Sequence, residues 1–140
     1  MKTRSIKLNE INPKTYIVDA TNVRMGKLIA EVARILLGKN RVNSVKYIPV
    51  QDKVVIINAD KFSVHPTKMD KKYYWHSGYM GGLHSETLSD LKDNKIEKLI
   101  RKSLTGMLPK NRFGRICMQN LTISTESSVD IPNAEIVTIK

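Results

Sequence analysis

"TYIVDATNVRMGKLIAEVARILLGKN", residues 15–40, decides how the chain is read. Its first six residues are rich in β-formers and close around Asp19, a common kind of strand end. The apolar spacing then changes. Val23, Leu28, Ile29, Val32, Ile35 and Leu36 fall on one stripe at helical period. Thr21 or Asn22 is placed to cap the start of that helix, and Gly38 suits the left-handed position just past its end. A strand, a short turn and a helix in this order form the first half of a βαβ unit.

The same alternation continues downstream. "NRVNSVKYIPVQ" (40–51) is a basic connector in which Pro49 argues against a long central strand. In "KVVIINADKFSV" (53–64), residues 54–57 are a continuous apolar run, the pattern of a strand covered on both faces. "HPTKMDKK" (65–72) reads as a basic turn, and "KYYWH" (72–76) as a strand. "SETLSDLKD" (85–93) and "NKIEKLIRKSLTG" (94–106) read as helices, with Ser85 and Asn94 as caps and Gly106 as the stop. "MLPKNRFGR" (107–115) is a loop broken by Pro109 and Gly114. "QNLTISTE" (119–126) is a last short strand. Residues 1–14 and 125–140 read as irregular. No repeat, linker or second domain interrupts the chain, so residues 1–140 are expected to form one domain. Strands alternating with helices predict an α/β sheet covered on both sides.

The chain has 140 residues, a net charge of +11 and a single cysteine, Cys117. No internal disulfide can form, which fits a reducing compartment. Uncompensated charge of this size opposes compaction and is relieved by a polyanion. The charge is also unevenly placed. Residues 32–51 hold Arg34, Lys39, Arg41 and Lys46 without one acid, and residues 98–125 hold Lys98, Arg101, Lys102, Lys110, Arg112 and Arg115, again without one. One such run is ordinarily a solvated face, but two on so basic a chain point to a surface for nucleic acid. A membrane partner would need an apolar anchor or span, and neither the N-terminus nor any later run supplies one.

Enzyme signatures fail on inspection. "TNVRMGK" ends in Gly-Lys before a helix, but a phosphate loop needs glycine where Thr21 stands and a hydroxyl where Leu28 stands. His65, His76 and His84 lack helical i, i+4 spacing, so no metal or cofactor is expected. Asp19, Asp52 and Asp60 sit at strand ends, where turn and cap roles are common.

Two loops carry positive charge beside other recognition groups. "KMDKKYYWHSGYMGG" (68–82) brings together Lys68, Lys71, Lys72, four aromatic rings and three glycines. Glycine lets backbone amides approach phosphates, rings and histidine stack on unpaired bases, and lysines neutralise backbone charge. Tyr73 and Trp75 alternate toward the core, leaving Tyr74 and His76 outward. "GMLPKNRFGR" (106–115) offers Lys110, Arg112 and Arg115 on an exposed loop.

"YIVDATNVRMGKLIAEVARILLGK", "VVIINADK", "KYYWHSGYMGGL" and "TGMLPKNRFGR" follow one another in a distinctive order. Over residues 15–123 the chain resembles the bacterial-type large-subunit ribosomal protein L-thirteen family in the order and spacing of all four. The resemblance implies a mostly parallel four-stranded sheet with helices on both faces, a three-layer α/β/α arrangement with basic extended loops. It implies a non-catalytic constituent of the large ribosomal subunit that binds rRNA and supports assembly, monomeric among neighbouring ribosomal proteins and without a small-molecule substrate. The RNA-facing set carried over is Lys39, Arg41, Lys46, Lys68, Lys71, Lys72, Tyr74, His76, Tyr79, Gly81, Gly82, Lys110, Arg112 and Arg115. The expected setting is the ribosome of the bacterial cytoplasm, with an organellar ribosome as the other. The charge alone also permits a nucleic-acid-binding regulator outside the ribosome. The sequence departs from the family at Asn40, where a histidine is usual, in the shortened "YIPVQDK" (47–53), and in "STESSVDIPNAE" (124–135), which replaces the usual C-terminal elements.

Overall fold

The computed structural model describes residues 7, 11–42, 44–45, 47–48, 51–127, 129, 131–132, 134–137 and 139. The elements are β1 (Thr15–Asp19), α1 (Met25–Leu36), β2 (Lys53–Ile57), a 3-10 turn (Pro66–Lys68), β3 (Lys72–His76), β4 (Leu83–Thr87), α2 (Leu88–Asn94), α3 (Ile96–Met107), α4 (Arg112–Gln119), β5 (Leu121–Ile123) and β6 (Ala134–Val137). Four strands form a wholly parallel sheet in the order β5-β2-β1-β6. The remaining two, β3 and β4, form a separate antiparallel ribbon.

The register explains the core. Tyr16 and Val18 of β1 pair with Val54 and Ile56 of β2, and Leu121 continues the row on β5. These residues share one sheet face, because side chains alternate along a strand. They enter a single apolar cluster with residues of all four helices, among them Leu28, Val32 and Ile35 of α1, Leu91 of α2, Leu99 and Leu104 of α3, and Cys117 of α4. Val55, on the opposite face of β2, is buried outside that cluster.

Asp19 and Asp52 take the structural roles expected of acids at strand boundaries. Asp19 accepts from the hydroxyl and amide of Thr21 at 2.7 and 2.9 Å and from Asn58 at 3.1 Å. The Thr21 hydroxyl, then its amide, holds the Asp19 carboxyl below the usual carboxylate range. Asp52 is only 3% exposed. It accepts from the Lys14 amide at 2.9 Å and from two nitrogens of Arg41 at 2.9 and 2.5 Å.

Several sequence expectations need correction. α1 is capped at neither Thr21 nor Asn22. Asn22 has φ +58°, outside the extended conformation a cap requires, and Thr21 is engaged by Asp19; the N-cap is Arg24, without a side-chain hydrogen bond. Ser85 lies in β4, and α2 is capped by a reciprocal box between Thr87 and Asp90. α3 begins after Lys95 rather than at Asn94, and Gly106 lies within its last turn. The segment 125–140, expected to be irregular, contains β6, which pairs with β1 and is pinned by a 2.5 Å ion pair from Lys14 to Glu135. "KYYWH" is the strand that leaves the main sheet, and β6 takes the fourth place. The expected 107–115 loop is half helix, since Asn111 accepts from the Gly114 amide at 3.1 Å and starts α4.

Gly114 is explained by contact. A Cβ there would collide with the carbonyl oxygen of Pro109, which is backbone and cannot step aside. Gly114→Ala is therefore expected to destabilise the fold by about 3 kcal/mol, the upper part of the usual overpacking range. Thermal unfolding should show this as a Tm drop of about 10 °C, and an unchanged Tm would refute the contact.

Candidate nucleic-acid interface

The ribbon is fixed at its base and ordered at its tip. The Leu88 amide donates to Lys71 O at 2.9 Å and the Ser89 amide to Met69 O at 3.3 Å. In the connecting loop, residues 77–82, the Ser77 amide donates to Gly82 O at 3.0 Å, the Gly82 amide to Tyr79 O at 2.9 Å, and the Gly78 amide to His76 Nδ1 at 2.9 Å. Gly78 and Gly81 have φ of +92° and +71°, which other residues rarely adopt. The loop lifts Tyr79 and Met80 into solvent, 80% and 104% exposed.

The ribbon's two faces differ. Tyr73 pairs with Glu86 and Trp75 with His84, placing all four on one face. That face meets lysines of α3, and of its four residues Tyr73 also packs against the apolar core. Lys98 Nζ lies 4.5 Å from the Trp75 ring centre, Lys102 Nζ 5.1 Å from Tyr73, and His84 stacks on Trp75 at 5.3 Å. Glu86 binds Lys95 at 2.6 Å and Lys98 at 2.8 Å, and these bonds, Lys95 first, hold its carboxyl below the usual range. The expectation that both rings anchor in the core is thus corrected. Tyr73 is half-buried against the core, but Trp75 is 37% exposed and rests on lysines. The reason is that Leu99, Ile100 and Leu104 already turn the apolar side of α3 inward. Each cation–π contact contributes about 0.5–2 kcal/mol. The opposite face carries Lys72, Tyr74 and His76, all exposed.

A second basic site surrounds α4. Arg112 and Arg115 are exposed in its first turn, on a rigid helix rather than a flexible loop. Lys110 and Arg115 help line a hollow of about 510 Å³ with Pro109, Asn111 and Met118. Cys117 Sγ donates to Leu36 O at 3.3 Å, setting α4 against the end of α1. Exposed Lys39 follows that end, just after Gly38 with φ +70°.

The other candidate residues separate. The Arg41 guanidinium is committed to Asp52. Lys46 lies outside the described residues. Lys68 and Lys71 stand together beside the start of α1, on a groove whose further cations, Arg24 and Lys27, the sequence analysis did not select. Their signal lies in "VRMGK", two cations flanking a glycine at a helix start.

The helix starts reveal a contrast. α2 and α3 carry Asp90 and Glu97 in their first turns, the favourable sign for the positive end of a helix dipole. α1 and α4 have no acid there, and instead carry Lys27 on one and Arg112 and Arg115 on the other. Among the described residues these cations form no ion pair with a carboxylate. No cluster of three metal-ligating side chains occurs among the described residues, and no described helix is long and apolar enough to cross a membrane.

The family described as ribosomal protein L13 matches residues 13–130. Proteins named large ribosomal subunit protein uL13 are similar over most of their length. The one from Aquifex aeolicus is 43% identical over 124 residues, covering 88% of this chain and 86% of its own. That from Thermotoga maritima is 42% identical over 123 residues, covering 87% and 83%. That from Nitratiruptor is 39% identical over 121 residues, covering 86% and 87%.

The ribbon's attachment carries a pH signature. Because the folded-state pKa of Glu86 is depressed, its hold on Lys95 and Lys98 is fully present above the pKa of an unfolded glutamate. It is lost only as pH falls through the depressed folded value. Trp75, the single tryptophan, should report that loss as an acid transition in its emission below the ordinary glutamate range. Glu86→Gln should abolish the transition; an identical curve in the variant would mean the ribbon is held by something else.

Proposed function

The chain belongs to the ribosomal protein L13 family, and from that premise we propose that it binds large-subunit rRNA and supports assembly of the subunit. The family is one of structural ribosomal proteins and not of enzymes, so the chain's role in translation is as a constituent of the large subunit. The observation that carries the RNA reading is the start of α4. Arg112 and Arg115 occupy the positive end of a helix, exposed and without carboxylate partners among the described residues. Cations there are disfavoured by about 0.3–1 kcal/mol each in an isolated protein. Phosphates of an RNA backbone reverse the sign of that interaction, because both the side chains and the helix end attract them.

Recognition on this reading is chiefly of backbone and shape. Lys39, Lys110, Arg112 and Arg115 contact phosphates around α4, and Lys68, Lys71 and Lys72 do so around the 3-10 turn and the base of the ribbon. On the ribbon, Tyr74, His76 and Tyr79 offer surfaces for unpaired bases, and the loop at Gly81 and Gly82 allows close approach. Arg41 serves instead to hold the connector through Asp52, and Lys46 remains a candidate on charge alone. The protein acts as a monomer beside neighbouring ribosomal proteins, in the cytoplasmic ribosome, without a membrane or small-molecule partner.

The salt response tests this. With about 6–10 phosphates neutralised, affinity for large-subunit rRNA should fall roughly 10³–10⁵-fold between low and moderate salt. A flat response would remove the reading. Arg112→Ala with Arg115→Ala should lower the slope of log affinity against log salt by about 2. Tm should stay level or rise slightly, since two cations leave a positive helix end. A marked loss of Tm would instead make the arginines structural. On sucrose gradients in high salt the protein should remain with large subunits at near-equal stoichiometry; recovery in free fractions would favour a regulator outside the ribosome.

A further inference from the structure

Between the start of α1, the 3-10 turn and the base of the ribbon lies a groove of about 960 Å³. Arg24, Lys27, Lys68 and Lys71 line it together with His65, and no acid does. Its walls are held by backbone. The Met25 amide donates to Ser63 O at 2.9 Å and the Ser63 amide to Val23 O at 2.9 Å, fastening the turn segment to α1. His65 accepts from the Thr67 amide and starts the turn that presents Lys68, and the Leu88–Lys71 hydrogen bond fixes the third wall. None of the four cations forms an ion pair with a carboxylate among the described residues.

Gly26 adds an independent observation. It lines the same groove in the first turn of α1, where glycine disfavours a helix. Its φ is not left-handed, and a Cβ built there meets no atom within 4 Å. Nothing within the described chain therefore requires glycine, whereas a partner approaching the backbone closely would.

We propose that this groove seats the phosphodiester backbone of large-subunit rRNA, making the start of α1 an RNA contact separate from the ribbon face and from α4. The inference rests on the rRNA reading above and assigns it a specific place. Charge complementarity selects the occupant: four cations without carboxylate partners among the described residues, Lys71 with its ammonium 5.2 Å from the Tyr73 ring centre, surround the exposed backbone at Gly26 and suit successive phosphates, and they disfavour a basic or apolar protein segment.

The test uses the full chain and a large-subunit rRNA transcript. In the wild-type complex, Lys27 and Lys68 should become clearly less reactive toward an amine-labelling reagent than in the free protein, because a seated phosphate backbone covers both ammonium groups. Exposed Lys53, outside the groove, should keep its reactivity. Arg24→Gln with Lys27→Gln should lower the salt slope by about 2. Gly26→Leu, which changes no charge, should weaken binding while circular dichroism and Tm stay near wild type. If wild type binds with a steep salt slope but both lysines stay reactive and both variants bind normally, the groove proposal fails while the rRNA reading stands. Protection in whole subunits but not on the transcript would mean a protein occupies the groove, which also overturns it. If wild type does not bind the transcript, the underlying reading fails and the groove assignment falls with it. Should the double variant misfold, Gly26→Leu and the labelling of wild type still decide the outcome.

Discussion

Burial of α1 against β1 and β2 is the constraint on which the rest of the molecule depends. Leu28, Val32 and Ile35 are fully enclosed, and they meet Val18, Val54 and Ile56 from the sheet and Leu99, Ile100 and Leu104 from α3 in one cluster. Fixing the middle of α1 in this way leaves its two ends at the surface. Both ends are basic. The first forms a wall of the groove with Arg24 and Lys27, and the last lies against α4 and is followed by Lys39. A helix of 12 residues spans about 18 Å at 1.5 Å per residue. The core thus acts as a spacer, holding two basic sites at a separation that loops alone would not maintain.

Charges divide into those that build the protein and those left over. Arg41 holds Asp52, and Arg101 reaches Glu97 and the carbonyls of Met118 and Leu121. Lys95, Lys98 and Lys102 brace the ribbon through Glu86 and the rings. These cations belong to the fold. Lys27, Arg112 and Arg115 stand where the helix dipole opposes them, so the isolated protein tolerates a small electrostatic penalty at two helix starts. Local rules are commonly broken at functional sites in this manner.

The sequence made local order legible and non-local partnership much less so. In residues 15–40 the change from strand to helical spacing identified β1 and α1, because each signal is complete within a few residues. The apolar run at 54–57 likewise announced a central strand. β4 escaped because its residues precede a genuine capping box at Thr87 and Asp90, so a reading of "SETLSD" as a helix start reached back too far. β6 escaped because nothing near Pro132 reveals that its partner is β1. Gly114 and Pro109 looked like loop breakers, yet the glycine lies within a helix, at a position where the proline carbonyl leaves no room for a side chain. At the site, composition located the ribbon and the 110–115 segment. It had no means of pairing Arg41 with Asp52, eleven residues away, or of gathering Arg24 and Lys27 with Lys68 and Lys71 across the turn.

The pairing of β6 with β1 also sets an order of events during synthesis. Residues 15–18 are made more than a hundred residues before their partners at 134–137. At about 5–20 residues per second, β1 waits on the order of ten seconds for its second neighbour. Throughout that interval one side of a strand carrying Ile17 and Val18 has unmatched amides and carbonyls, the condition that invites pairing with another nascent chain. Lys14 stands at the start of this edge before its partner Glu135 exists, and an uncompensated cation there repels a second copy of the same strand. Completion of the sheet exchanges that repulsion for the ion pair that closes it.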